Sequence, residues 1–159
     1  MILIALGSNL PFTDKQPPEV VTAALATLER EGIVIEARSR FYSTAAWPDP
    51  TQPRYVNAVA RVRTTLDPEA LMARLHRIEQ DFGRMRDAPN APRTLDLDLI
   101  DYDGQIMKGT LSLPHPRLAS RAFVLKPLAE VAPEWSHPET GQSVAALIAA
   151  LPPQDVRLI

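Results

Sequence analysis

Cysteine is absent from the 159 residues, which removes disulfides, thiolate metal sites and cysteine nucleophiles together. Long apolar runs are missing too. No stretch approaches the roughly 18 residues of a membrane span, and residues 1–7 have neither the basic start nor the length of a secretory signal. A cytoplasmic location is the expectation. There is no large surplus of one charge: the net charge is −2 and the pI about 5.9. Nothing therefore draws the chain in bulk toward nucleic acid or anionic lipid. The six glycines form neither a Gly-x-x-x-x-Gly-Lys loop nor a Gly-x-Gly-x-x-Gly fingerprint, so the two familiar glycine-built nucleotide sites are excluded. Lysine is also scarce, with Lys15, Lys108 and Lys126 standing against fourteen arginines. Arginine's planar fork matches phosphate oxygens in pairs. Codon bias would give the same ratio, so where the arginines cluster matters more than their number.

What is present fits one domain spanning residues 1–159. The length is near the usual single-domain size, and 45% hydrophobic with 23% charged residues is ordinary for a globular chain. Residues 2–7 read as a short apolar strand. Pro17 and Pro18 open a helix whose inner face carries Val21, Leu25 and Leu28, and Gly32 closes it. Residues 33–42 are β-branched and then partly alternating, which predicts one strand. Three prolines make 45–54 a long loop, and strand chemistry returns at 55–66. Asp67 and Pro68 start a second helix with Leu71, Leu75, Ile78 and Phe82 as its buried stripe. Residues 84–93 form a second loop, 95–102 a strand, and Asp103-Gly104 a hairpin turn into a short strand at 105–107. Helices over 117–130 and 144–151 complete the chain. The order is β-α-β-β-α-β with a C-terminal helical extension. It predicts an α+β, ferredoxin-like fold, an antiparallel sheet with helices packed on one face.

The chemistry concentrates in Leu95-Asp96-Leu97-Asp98-Leu99. Alternation turns the leucines toward a core and both aspartates to the other face, roughly 7 Å apart along the strand. Like charges at that spacing repel unless a cation lies between them, and an oxygen-only pair suits Mg²⁺ when phosphates complete its shell. Arg84, Arg86 and Arg93 precede this strand, and His115 and Arg121 follow it. An acidic pair beside a cationic loop makes sense with a magnesium polyphosphate between them. Glu79 sits at the margin of its helix stripe, a place that suits either a solvated carboxylate or a site residue. His76 reads as a surface residue. His115, between Pro114 and Pro116, either aims a donor at phosphate or caps a turn. Aromatics make up only 6%. Tyr55, Asn57, Trp47 and Phe123 could stack and read a flat heterocycle, although core packing would explain Tyr55 and Phe123 equally well.

The segments Gly7-Ser8-Asn9-Leu10, Phe41-Tyr42-Ser43-Thr44, Gln52 to Ala58, Arg77-Ile78-Glu79, Gly83 to Arg86, Pro92 to Leu99 and Leu113 to Arg117 occur in a family order. Together they resemble the 6-hydroxymethyl-7,8-dihydropterin pyrophosphokinase family of folate biosynthesis, over nearly the whole chain to about residue 133. The resemblance implies transfer of the pyrophosphoryl group of ATP to the hydroxymethyl oxygen of the dihydropterin, with release of AMP. Asp96 and Asp98 would bind two Mg²⁺, and with Arg84 and Arg93 would form the catalytic set. His76, Glu79, Arg84, Arg86, Arg93, Ser112, His115 and Arg121 would contact ATP. Thr44, Trp47, Tyr55, Asn57 and Phe123 would hold the pterin. Some members carry a tryptophan between the later loop arginines, whereas residues 87–91 here have no aromatic. A monomer acting on small molecules, with no nucleic-acid or membrane partner, is expected. Two rival readings of the residues are a two-metal nucleotidyltransferase attacking the α-phosphate and an RNA-binding module on the same fold. The acidic strand argues against the second.

Overall fold

A computed structural model of the chain describes residues 1–84 and 92–159. Arg86 and the aromatic-free run at 87–91 lie outside the described residues. In chain order the elements are β1 (Ile2–Ser8), α1 (Pro17–Arg30), β2 (Val34–Arg38), β3 (Tyr42–Thr44), β4 (Tyr55–Arg63), α2 (Pro68–Asp81), β5 (Asp96–Tyr102), α3 (Ala122–Val131), α4 (Val144–Ala150) and β6 (Val156–Leu158). One sheet runs β5-β1-β4-β3-β6, and β2 pairs with β4 beyond β3. Every pairing is antiparallel. This is the expected α+β, ferredoxin-like core, with the second strand of that pattern split into β2 and β3.

The split has a local cause. Arg38 pairs with Ala60 and Tyr42 with Asn57, so the chain advances four residues against three on β4. The extra residue cannot join the ladder. Ser39 fills the gap: its N–H donates to the Val59 carbonyl at 2.9 Å, and its hydroxyl accepts from the Val59 N–H at 3.0 Å. The single strand expected over 33–42 is therefore two.

Helix starts follow their caps. The Asp67 carboxylate accepts from the Ala70 N–H at 2.8 Å, and Ser143 caps α4 in the same way. The Asp103-Gly104 turn forms with both residues at positive φ, as a tight hairpin turn requires. Its expected strand does not follow. Met107 makes only an isolated bridge to Leu113. The helix expected from residue 117 begins instead with a 3-10 turn, Leu118–Ser120, breaks at Arg121 and resumes as α3.

Helices cover both faces of the sheet, not one. Ile2, Ile4 and Leu6 of β1 pack with Leu97 and Leu99 under α1 and α2. Leu3, Val59 and Ile100 face the other way, against α3, Trp135 and α4. A strand buried on both sides must be apolar throughout, which is why β1 shows no alternation. The residues after 134 thus help to close a second core, through Trp135, Val144 and Leu147. Within it, buried Asp101 accepts from the Trp135 indole N–H at 2.9 Å, and its other oxygen has no partner among the described residues. Trp135→Phe removes that donor from a buried carboxylate. It should cost about 2–3 kcal/mol in urea unfolding.

Candidate active site

The strand register builds the site. Gly7 pairs with Asn57 on β4 and with Asp96 on β5, so these three residues form one row across the sheet. Ala5 pairs with Val59 and with Asp98 in the next row. Paired residues project to the same side, here the α3 face, at the end of the sheet that α3 leaves open. A cleft of about 1210 Å³ opens there. That exceeds the roughly 300–1,000 Å³ typical of a site for one small ligand.

Thr44, Trp47, Tyr55, Asn57, Phe123, His76, Glu79, Arg84, Arg93, Asp96, Asp98, His115 and Arg121 all line this cleft. Two candidates do not join them. Arg86 lies outside the described residues, and Ser112 is absent from the lining, its hydroxyl donating to the Gly109 carbonyl at 3.3 Å.

On one side, buried Asn57 donates through Nδ2 to the Thr44 hydroxyl at 2.8 Å. Burial raises the Tyr55 hydroxyl above its ordinary value. Trp47 stands at the mouth, 75% exposed. Across the cleft, Arg84 Nη1 reaches Asp96 at 2.7 Å and also donates to Glu79, while Arg93 Nη1 reaches Asp96 at 3.1 Å. Glu79 is 1% exposed and accepts from the Leu97 N–H at 2.7 Å. Its carboxylate ties α2 to β5 and aims Arg84; it is no solvated margin. Burial opposes the Arg84 charge, but Asp96 and Glu79 outweigh it and raise its pKa.

Asp98 differs from its neighbour. Water reaches it, yet it sits on the cleft floor with protein on most sides. Burial above all, then Asp96 and Glu79, push its carboxyl up to about 7. His115 moves the other way. Burial, then Arg121 and Arg117, press it down to about 4, so the ring is neutral at pH 7. Its Nδ1 accepts from the Arg117 N–H at 3.1 Å, which leaves the proton on Nε2. Arg121 lies 5.4 Å from the centre of the Phe123 ring, and burial lowers its pKa.

Two residues that carry this geometry enter the sequence reading only within the segment Gly7-Ser8-Asn9-Leu10, with no role given to either. A Cβ on Gly7 would stand 2.7 Å from Asn57 Oδ1, so only glycine leaves the row open. A glycine inside an apolar strand is the signal of such a close approach. The other is Asn9, 1% exposed. Its Nδ2 donates to the Pro53 carbonyl at 3.0 Å and its Oδ1 accepts from the Arg93 N–H at 2.7 Å. One buried amide thus holds the roots of both long loops.

Paired carboxylates faced by arginines thus stand beside a pocket of aromatics and amides. The sequence model of 7,8-dihydro-6-hydroxymethylpterin-pyrophosphokinase matches residues 3–133. The chain belongs to that family. It is 41% identical over 148 residues to a Synechocystis protein named 2-amino-4-hydroxy-6-hydroxymethyldihydropteridine pyrophosphokinase, covering 92% of this chain and 73% of that one. A Pseudomonas aeruginosa protein of the same name is 40% identical over 154 residues, covering 95% and 91%. A crystal structure described as HPPK-DHPS in complex with substrates superposes with a TM-score of 0.71 at 13% identity. It covers 94% of this chain and 42% of that one, and shows the shared fold.

Two outcomes test this geometry. The folded chain holds a proton on Asp98 between about 3.8 and 7 that the unfolded chain has lost, so stability falls as pH rises through that window. In metal-free buffer Asp98→Asn should therefore add stability at pH 8, roughly 2 kcal/mol with allowance for the water reaching the group. The gain should vanish near pH 4, as read by denaturant midpoints. Gly7→Ala should force Asn57 off Thr44 at a cost of about 1–3 kcal/mol. The Asn57 side-chain amide signals in an NMR spectrum report that displacement.

Proposed function

We propose that this cleft is where the chain performs the reaction of its family: pyrophosphate transfer from ATP to the hydroxymethyl group of 6-hydroxymethyl-7,8-dihydropterin, a step of folate biosynthesis. The observation that carries the assignment is the row Asn57–Gly7–Asp96. It joins an amide-and-aromatic half and a carboxylate-and-arginine half in one cavity. Residues 1–159 act together as one domain, since β6 closes the sheet at the end of the chain.

The pterin lies between Tyr55 and Phe123, with its polar edge read by Asn57 and Thr44 and its mouth covered by Trp47. The triphosphate lies across Arg84, Arg93, His115 and Arg121, with His76 toward the nucleotide. His115, neutral with its proton on Nε2, donates to a phosphate oxygen without adding charge. The donor set also fits Mg²⁺. Asp96 and Asp98 offer only oxygen, and among the described residues no group of three or more acidic, histidine or cysteine side chains could enclose a metal alone. Phosphate and water oxygens must supply the remaining ligands, which suits a hard cation that arrives with ATP. Two Mg²⁺ on Asp96 and Asp98 would neutralise charge on the transferring group. Arg84 and Arg93, now on Asp96, exchange that carboxylate for phosphate oxygens.

The hydroxymethyl oxygen attacks the β-phosphorus in line, and its proton passes to water. The bond from that phosphorus to the oxygen bridging the α-phosphate breaks, and AMP leaves with the electron pair. The chain's residues contribute positioning and fixed positive charge rather than covalent chemistry. Incubation with ATP, Mg²⁺ and the dihydropterin should give AMP and the pyrophosphorylated pterin. Free pyrophosphate with an adenylylated pterin would mean attack at the α-phosphorus and would overturn the reading. Asp96→Ala and Asp98→Ala should each lower kcat at least about a hundredfold while circular dichroism stays unchanged.

A further inference from the structure

The last residues of the chain lie outside the matched family region and yet wall the cleft. Gln154, Asp155 and Val156 line it beside Thr44 and Phe123. They are held firmly. β6 pairs with β3 through Thr44↔Val156, Ser43↔Arg157 and Tyr42↔Leu158. Arg54 grips Asp155 with two nitrogens at 2.7 and 3.1 Å, and also donates to the Ser43 hydroxyl at 2.7 Å. The Ala45 N–H donates to the Asp155 carbonyl at 3.2 Å. The base of Gln154 is thus anchored to the wall that carries Thr44.

From that base the Gln154 amide reaches across to the break before α3. Its Oε1 accepts from the Ala122 N–H at 3.0 Å, and its Nε2 donates to the Ser120 carbonyl at 3.0 Å. Those two groups belong to the peptides on either side of Arg121. Arg121 occupies the N-cap position of α3 in an extended conformation, with φ −114° and ψ 101°, and caps nothing with its own side chain. The first N–H groups of a helix need outside acceptors. Here a side chain 32 residues further along supplies one and closes the opposite peptide as well. With the Leu118 carbonyl and the Val124 and Leu125 N–H groups holding the other ends of the same two peptides, the clamp restrains φ and ψ at Arg121 and so sets the direction of its Cα–Cβ bond.

We infer that Gln154 is a positioning residue: its amide clamps the peptides flanking Arg121 and so aims the guanidinium into the cleft, over the Phe123 ring and toward Asp98. Among the described residues no carboxylate lies within ion-pair distance of Arg121, so its direction rests on the backbone that carries it and on the Phe123 ring beneath the guanidinium. The role in turnover rests on the assignment of the cleft to a polyphosphate and a pterin. The clamp itself does not.

Gln154→Met keeps the length and loses both hydrogen bonds. With two bonds lost, kcat/KM for ATP should fall about tenfold, with little change in Tm because the side chain is exposed. In an Arg121→Ala background the same substitution should cost nothing further. An equal loss in both backgrounds, or no loss in either, would overturn the inference. Two measurements need no activity: hydrogen exchange at the Ala122 amide should accelerate, and the Arg121 Nε–H resonance should shift. If both stay as in the parent chain, the clamp is refuted. If the parent chain makes no pyrophosphorylated pterin while these signals respond, the assigned reaction falls and the clamp stands.

Discussion

The pairing of β1 with β4 on one side and β5 on the other is the constraint on which the rest depends. β1 is central, apolar on both faces and flanked by two antiparallel partners. Its register sets Asn57, Gly7 and Asp96 in one line and puts Asp98 one row deeper. Slipping either neighbour by one residue would turn an aspartate or the asparagine into the α1–α2 core, where it would displace a leucine or valine. The core therefore enforces the site. The apolar burial that stabilises the sheet also fixes which polar groups meet in the cleft.

Around that line the electrostatics are divided rather than uniform. Asp96 is neutralised by Arg84 and Arg93, and Glu79 holds Arg84 from behind. Among the described residues Asp98 has no such pair and carries the cost of burial, which appears as its raised pKa. One carboxylate is stabilised by arginines and the next is poised to gain from a cation. Asn9, Ser39 and Gln154 serve a quieter purpose. Each uses a side chain to complete hydrogen bonds that the main chain cannot make at a loop root, a bulge and a helix start.

Much of the fold is legible in the chain because the relevant signals are short in range. Val21, Leu25 and Leu28, or Leu71, Leu75 and Ile78, declare a buried helix face within a few turns. Asp67-Pro68 declares a start, and Asp103-Gly104 a turn. The alternation around Asp96 and Asp98 places both on one face before any partner is known. Misreadings fall where a tertiary contact overrides the local pattern. Residues 33–42 look like one strand until Ser39 meets Val59, residues 117–130 like one helix until Arg121 is drawn out, and β6 has too few residues to declare itself.

The βαββαβ order of the core, the apolar stripes, the caps and the two-carboxylate face can be read from the chain alone, since each is a periodicity or a short-range preference. It also holds the family motifs that lead to a pyrophosphokinase. That Gly7 separates Asn57 from Asp96, that Asn9 joins the roots of two loops, and that Gln154 reaches back to Arg121 emerges with the folded chain. Those facts rest on register and on hydrogen bonds between residues 32 to 84 positions apart. The residue types alone do not encode such distances, because many partners of the same chemistry would satisfy each group equally well until packing selects one.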